Sequence, residues 1–170
     1  MANKKDDKIV KLEKKQTKKA VQDFGGFISK IKFKKDVPEI KYKSNGRKSS
    51  KDTTVKGRER PLDSFLAAMQ ELKEYFVEVC EIENKMENTV ITGVSFSEKG
   101  VVITGQYELL NNKQKIQMPL NTPLIRYEAQ KGLKVPQEVE ELLEKLKFEA
   151  IQYINGEYAE KQISFLEEAK

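Results

Sequence analysis

Apolar residues and lysines alternate along residues 27–35, as they do in a β-strand with two different sides. One side carries Phe27, Ile31 and Phe33, and the other carries Lys30, Lys32 and Lys34. After Pro38 the alternation is repeated over residues 40–43. Residues 27–43 are therefore predicted to be able to form strands, either packed on the rest of the chain or ordered by a partner.

After Pro61 the apolar residues recur every three or four positions, which is the spacing of one helix face. This stripe predicts a helix from residue 61 to about residue 83. A second stripe predicts a helix over residues 136–154, and the chain to residue 170 is predicted to continue it or to form a further helix. The first stripe is Phe65, Met69, Leu72, Phe76 and Val79, and the second is Val139, Leu142, Leu143, Leu146, Ala150, Tyr153 and Ile154.

Three strands connected by short turns are predicted between the two helices. If residues 97–100 form a loop, the opposed pairs are Phe96 with Val101, Val94 with Ile103, and Val90 with Tyr107. If Asn111 and Asn112 form a two-residue turn, the opposed pairs are Tyr107 with Ile116, Gly105 with Met118, and Ile103 with Leu120. Both hairpins place their apolar residues on one face. Pro119 suits an edge strand, and residues 124–127 are predicted as a short fourth strand or an extended crossing.

These elements predict an α+β fold: a three-stranded antiparallel meander with helices before and after it on one face, in the order α-β-β-β-α. The compact domain is expected to span residues 61–170. Residues 1–60 are expected to form a basic, largely flexible N-terminal arm before it. Within this arm, residues 44–60 contain almost nothing to bury and are predicted to be a linker.

Three segments of the predicted hairpin region are similar to a group of known sequences. VITGVSF, GVVITGQYEL and LNTPLIRY, at residues 90–96, 100–109 and 120–127, resemble the ITG-type hairpins of small uncharacterised phage proteins. The resemblance implies a viral origin and includes no functional motif.

Charge is divided unevenly between the two parts of the chain. Residues 1–60 contain 17 Lys and 3 Arg against 8 acidic residues, a net charge of +12, whereas residues 61–170 carry a net charge of −7. An asymmetry of this size indicates interaction with a nucleic acid or another anionic surface. A solubilising arm, or an arm that folds back onto the acidic part, would produce the same asymmetry.

The residue types needed for most catalysis are absent. With no histidine, the chain lacks the commonest general base and the commonest neutral metal ligand. No phosphate-binding glycine motif occurs, and the run of glutamates after Pro136 fits the solvated side of a helix. Cys80 lies on the first helical stripe and is predicted to be inert packing. The protein is therefore predicted to be no enzyme and to use no metal or cofactor.

Lysines alternating with aromatic residues favour nucleic-acid binding, because lysines neutralise phosphates and aromatic rings stack on unpaired bases. The basic residues of this segment would contact phosphates, and the rings of Phe33 and Tyr42 would stack on bases. The alternative is that the apolar side of residues 27–33 packs on the body and leaves the lysines in solvent. The predicted nucleic-acid-binding residues are Lys30, Lys32, Phe33, Lys34, Lys35, Lys41, Tyr42, Lys43, Arg47 and Lys48.

The favoured function is a non-enzymatic accessory protein, phage-encoded, that contacts the backbone of DNA or RNA without sequence preference. The alternative is a protein-binding modulator or inhibitor of a host or phage machine, and a third possibility is a structural component of a virion. A single cysteine excludes an intrachain disulfide framework and predicts a reducing, cytoplasmic setting. No apolar run approaches the ~20 residues that cross a bilayer, so no membrane partner is predicted.

Overall fold

Strands and helices form two layers in the computed structural model, which describes residues 21, 23–45, 50–82, 86–111, 114–128 and 132–159. The mixed α+β class is confirmed. The strands are β1 (Gly26–Lys34), β2 (Val37–Asn45), β3 (Ser50–Lys56), β4 (Thr89–Phe96), β5 (Gly100–Asn111), β6 (Gln114–Asn121) and β7 (Ile125–Arg126). The helices are α1 (Asp63–Gln70), α2 (Lys73–Val79) and α3 (Gln137–Ile154), with a 3₁₀ turn at Met86–Asn88.

The strands form one seven-stranded antiparallel sheet in the order β3-β2-β1-β4-β5-β6, with the short β7 paired to β5. The predicted α-β-β-β-α arrangement is therefore incomplete, because three further strands precede it. Residues 27–43 do form strands, and β1 joins the meander by pairing with β4. The change of net charge at residue 60 is therefore not the start of the folded structure, since strands before residue 60 belong to the same sheet.

The predicted linker over residues 44–60 is wrong for residues 50–56, which form β3. This strand pairs with β2 from Glu39 opposite Lys56 to Asn45 opposite Ser50. Only Val55 adds a large apolar side chain, opposite the buried Ile40. The strand is therefore held mainly by its backbone ladder, which residue composition does not reveal. Residues 1–20, where the rest of the flexible arm was predicted, and residues 46–49 lie outside the described residues.

The first predicted hairpin is correct near its loop and wrong at its far end. Phe96 lies opposite Val101 and Val94 opposite Ile103, as predicted. A β-bulge at Thr92 then shifts the register, so that Ile91 lies opposite Gly105 and Thr89 opposite Tyr107. Because one inserted residue reverses the side-chain direction, Ile91 is buried and Val90 is exposed.

The second predicted hairpin is offset from its actual register by two residues. Asn111 pairs with Gln114, so Tyr107 lies opposite Met118 and Gly105 opposite Leu120. A shift of two leaves every side chain on its predicted face, whereas a shift of one would have reversed them all. The prediction of faces therefore holds although the predicted partners are wrong. β6 lies at an edge of the sheet, as Pro119 suggested.

The predicted helix over residues 61–83 is two helices, α1 and α2, that share one apolar stripe. Leu72 lies between them and is fully buried. The ring of Phe76 packs over Gly105, where a β-carbon would lie 2.7 Å from the ring. The absence of a side chain at Gly105 therefore makes room for α2 on the sheet.

The second predicted helix is confirmed as α3, with its apolar stripe in the core. Gly156 ends it in the left-handed region, at φ 98°, with the Glu157 N–H donating to the Gln152 carbonyl. This is the bonding pattern of a glycine-terminated helix. The further helix predicted towards Lys170 falls mostly on residues 160–170, outside the described residues. The region of residues 124–127 contains β7.

The hydrophobic core lies between the three helices and one face of the sheet. Strand residues facing the helices include Ile31, Ile40, Val94 and Ile103, all essentially without solvent exposure. We call the opposite side of the sheet the outer face. None of the described helices covers it. Residues alternate between the two faces along each strand, so the registers determine which side chains the outer face carries.

Candidate functional site

The outer face carries a cluster of lysines across β1, β2 and β3. Lys30 lies opposite Lys41, and Lys32 lies opposite Glu39, which lies opposite Lys56 on the next strand. The sequence-based prediction that Lys30, Lys32 and Lys34 share one face is confirmed. We call the following set the lysine face: Lys30, Lys32, Lys34, Lys41, Lys43 and Lys56.

The lysine face is only partly neutralised by its own strands. Glu39 and Asp52 are the acidic residues that the registers of β1 to β3 place among the lysines. Within the described residues, no ion pair involves any of the six lysines; the ion pairs are Arg60–Asp63, Lys145–Glu71 and Lys147–Glu144. Like charges directly opposite each other destabilise a sheet, so the pair Lys30 and Lys41 has an unfavourable position in the isolated protein.

Two aromatic residues predicted to stack on bases lie on the other side of the sheet. The ring of Phe33 contacts Phe65 of α1 at 5.0 Å between centroids, and the ring of Tyr42 contacts Phe24 at 5.2 Å. Both are partly buried against the core. The proposal that an apolar set packs on the body is therefore correct for Phe33 and Ile31. Lys35 lies in the β1–β2 turn, and Arg47 and Lys48 lie outside the described residues.

Phe27 lies on the lysine face, where Phe33 and Tyr42 were predicted to act as stacking residues. It was predicted to lie beside Ile31, but a β-bulge between Ile28 and Lys30 shifts the register. As a result Phe27 lies opposite Lys43 on the outer face and is 39% exposed. A bulge leaves no mark in an alternating pattern, so the sequence offered no signal for this ring. Lys56 was missed for a different reason, because its strand was predicted to be a linker.

A cleft of about 530 Å³ lies beside the lysine face, where the sheet divides. β1 pairs with β4 only from Lys30 to Lys32, and beyond Lys32 the two strands separate. Leu66, Met69 and Gln70 of α1 line the cleft from the helix side. Its outer margin includes the lysines at positions 32, 34 and 35, together with Val90, Thr104, Gln106 and Pro119.

The Gln70 side chain stabilises β4 at the gap where β1 and β4 separate. Its amide nitrogen donates to the Ile91 carbonyl at 2.9 Å, and its amide oxygen accepts from the Ile91 N–H at 3.2 Å. These are the backbone groups of β4 that a neighbouring strand would otherwise satisfy. Buried backbone groups without partners are costly, so one side chain here replaces a strand.

The helix layer has the opposite charge to the lysine face. α3 carries Glu138, Glu140, Glu141, Glu144 and Glu149. Burial raises the pKa of Glu149, an effect that the hydrogen bond from the Ser64 hydroxyl partly offsets. The described residues therefore have a bipolar charge distribution, with cationic residues on the outer face of the sheet and a net negative charge on α3, which also carries Lys145 and Lys147.

The described residues offer little reactive chemistry. Burial raises the pKa of the Cys80 thiol, which disfavours the reactive thiolate. No group of three or more Cys, Asp or Glu side chains is placed to hold a metal ion in the described ranges. None of the helices described is long and apolar enough to cross a membrane.

Comparison with known proteins gives no relative: no family model, curated protein or solved structure matches the chain. The resemblance to phage hairpins stays a prediction. The site has to be interpreted from its own geometry, which is a lysine-rich sheet face with one exposed ring and a cleft at its margin.

Proposed function

We propose that this protein is a non-enzymatic, nucleic-acid-associated accessory protein that contacts the backbone of DNA or RNA through the lysine face. The observation that carries the proposal is the placement of six lysines, without ion pairs among the described residues, on a sheet face that none of the described helices covers. Contacts of this kind recognise phosphates and carry no sequence information.

The electrostatics of the lysine face favour a polyanion. Lys30 and Lys41 repel each other in the free protein, and a phosphate between them would replace that repulsion with two attractions. Each phosphate neutralised by a lysine also releases counterions from the nucleic acid, which is the main source of sequence-independent affinity. The like-charged pair, unfavourable for folding, therefore becomes favourable in the complex.

The bipolar charge distribution also favours one orientation. The glutamates of α3 would repel a phosphate backbone from the helix layer. A nucleic acid is therefore expected to approach the outer face, where the exposed Phe27 lies beside Lys43. A ring in this position suits a single strand, because unpaired bases can stack on it.

Binding should be measured on the full chain with labelled single-stranded and duplex DNA and RNA over a series of salt concentrations. If six lysines each contact one phosphate of a single strand, the slope of log K against log salt approaches about −4. The double variant Lys30→Glu, Lys41→Glu is expected to lose more than about tenfold in affinity at low salt. The matched control Lys73→Glu, Lys99→Glu makes the same change in net charge away from the lysine face.

Each outcome has a distinct meaning. If the full chain shows no salt-sensitive binding to any nucleic acid, the proposed function is wrong. Equal losses in the two double variants would mean that only net charge matters and that the lysine face is not the site.

Reversing the charge of one lysine gives an independent check, because the stability of the fold and the affinity for nucleic acid should change in opposite directions. Lys41→Glu replaces a repulsion opposite Lys30 with an attraction, which is expected to stabilise the fold by about 0.2–1 kcal/mol. Its affinity for a single strand should nevertheless fall. If stability falls together with affinity, the loss of binding reflects a damaged fold and gives the lysine face no support.

Protein binding is a second candidate function, favoured by the edge at β6. Ile116 and Met118 are 42% and 40% exposed there, and β6 pairs with β5 on one side only among the described strands. An unpaired edge beside apolar side chains can accept a strand from a partner. The variant Met118→Glu should then abolish capture of a protein partner without changing nucleic-acid affinity. Unchanged capture would remove this edge as the site.

A further inference from the structure

The cleft between β1 and β4 opens beside the lysine face and reaches through the sheet to α1. The strands separate after Lys32 and Gly93, and Leu66, Met69 and Gln70 line the inner end of the gap. Because Gln70 satisfies Ile91, the gap exists without leaving the β4 backbone unpaired at that position. The cleft is therefore a stable part of the fold.

The lining combines apolar surface with groups that can form hydrogen bonds. Val90, 50% exposed, and Pro119 contribute apolar surface near the outer opening. The Gln70 amide, after its two bonds to Ile91, keeps one N–H and one lone pair. The Thr92 hydroxyl donates to the Thr104 carbonyl, and Thr104, which also lines the cleft, has a hydroxyl that can both donate and accept.

The charge and size of the cleft narrow the class of ligand. Lys32, Lys34 and Lys35 stand on one margin with Asp36, so the opening is cationic while the interior is largely uncharged. A volume of about 530 Å³ lies within the range of small-molecule sites, roughly 300–1,000 Å³. It is much larger than a phosphate group alone requires. A flat, polar-edged ring attached to a phosphate fits this combination.

We infer that the cleft receives one unstacked nucleobase of a single strand whose phosphates lie on the lysine face. This inference rests on the proposed function and adds a base-binding site to it. Lys32 and Lys34 belong to both surfaces, so the phosphate next to the inserted base lies on the shared lysines. The base lies between the apolar wall and the amide of Gln70.

The test compares two single strands of equal length, one carrying bases and one with abasic sites throughout, for binding to the full chain. The parent protein should bind the base-carrying strand at least about tenfold more tightly, since a stacked base contributes that much to affinity. Thr104→Trp fills the cleft and should reduce the preference by at least about threefold, leaving only the part that stacking on Phe27 contributes. Val102→Trp places the same side chain two residues away on the same strand and face, and should keep the preference.

A spectroscopic measurement guards against misfolding of the blocking variant. Val90→Trp places an indole at an exposed position in the cleft wall, beside the inserted base, and should retain the preference. The chain contains no tryptophan, so the introduced indole is the only one and its fluorescence reports directly on a base at that position. Quenching by the base-carrying strand and not by the abasic strand is the expected result.

The outcomes separate the two proposals. Salt-sensitive binding of both strands with equal affinity overturns base insertion and leaves the proposed function standing. A base preference that Thr104→Trp retains in full, or an indole at position 90 that the base-carrying strand does not quench, places the base elsewhere and also overturns the inference. Failure of either strand to bind at any salt concentration contradicts the proposed function itself.

Discussion

Removing the Gln70 side chain should destabilise the protein by removing the two hydrogen bonds that join its amide to the Ile91 backbone. In Gln70→Ala, both the N–H and the carbonyl of Ile91 lose the bonds of 3.2 and 2.9 Å that the amide provides. The Ile91 side chain is 1% exposed, so the surrounding structure holds its backbone in place. The variant tests whether a side chain replaces a strand at this position.

The expected loss follows from two hydrogen bonds and the solvent access of the site. A typical bond contributes about 0.5–1.5 kcal/mol net, and an unpaired buried group costs about 1–3 kcal/mol. Because the cleft is open, water can reach the vacated positions and recover part of this cost. Gln70→Ala should therefore lose about 1–2 kcal/mol of unfolding free energy.

Gln70→Glu gives a sharper result because its effect depends on pH. An ionised carboxylate accepts from the Ile91 N–H but cannot donate to the Ile91 carbonyl, whereas a protonated carboxyl can do both. The folded state therefore raises the pKa of the introduced carboxyl above its unfolded value. The stability of the variant, relative to the parent, should recover as pH falls through that raised pKa.

Urea denaturation of parent and variants between pH 4 and pH 8 measures these changes, with Gln106→Ala as an exposed control expected to lie within about 0.5 kcal/mol of the parent. Amide exchange at Ile91 should accelerate in Gln70→Ala. If Gln70→Ala keeps full stability, or if Gln70→Glu follows the parent at every pH, the amide does not replace a strand.

Three further substitutions test other parts of the structure. Thr122→Val removes the oxygen that accepts from the Ile103 N–H at 3.0 Å, and should cost about 1–3 kcal/mol in denaturant unfolding, while Thr122→Ser should retain most of the stability. Glu149→Gln should be more stable than the parent at neutral pH and equal to it at acidic pH, because burial raises the pKa of this carboxyl and stability falls as pH rises through it. Glu81 has φ 53° after α2, so Glu81→Gly should raise the thermal midpoint, with a gain of about 0.5–1 kcal/mol.

Each of these predictions has a result that contradicts it. Equal stability of the valine and serine variants at position 122 would show that the hydroxyl bond contributes nothing. A constant difference between Glu149→Gln and the parent across pH would show that the ionisation of Glu149 is not coupled to folding. A lower midpoint for the glycine variant would mean that Glu81 makes a compensating contact.

The fold could be predicted where side-chain pattern alone decides the structure. The hairpin around Phe96 and Val101 follows from alternating apolar residues and a short loop, and α3 follows from its stripe. The bulge at Thr92 could not be predicted, because Val90 and Ile91 are both β-branched and either could face the core. β3 could not be predicted because its stability depends on backbone pairing with β2.

The site was partly predictable for the same reasons. The lysines of β1 share a face because they alternate with apolar residues, and this pattern is visible in the sequence. The exposure of Phe27 depends on a bulge, and the burial of Phe33 depends on Phe65 in α1, a contact between distant residues. The cleft depends on where two strands separate, which no local pattern indicates.

Lysine acylation of the full chain with and without a bound single strand tests the lysine face most directly, because mass spectrometry measures each lysine separately. We predict strong protection at Lys30, Lys41 and Lys43, with Lys73 and Lys99 reacting equally in the free and bound states. Binding through the lysine face would be contradicted if Lys30 and Lys41 were not protected, or if Lys73 and Lys99 were protected as strongly as they are.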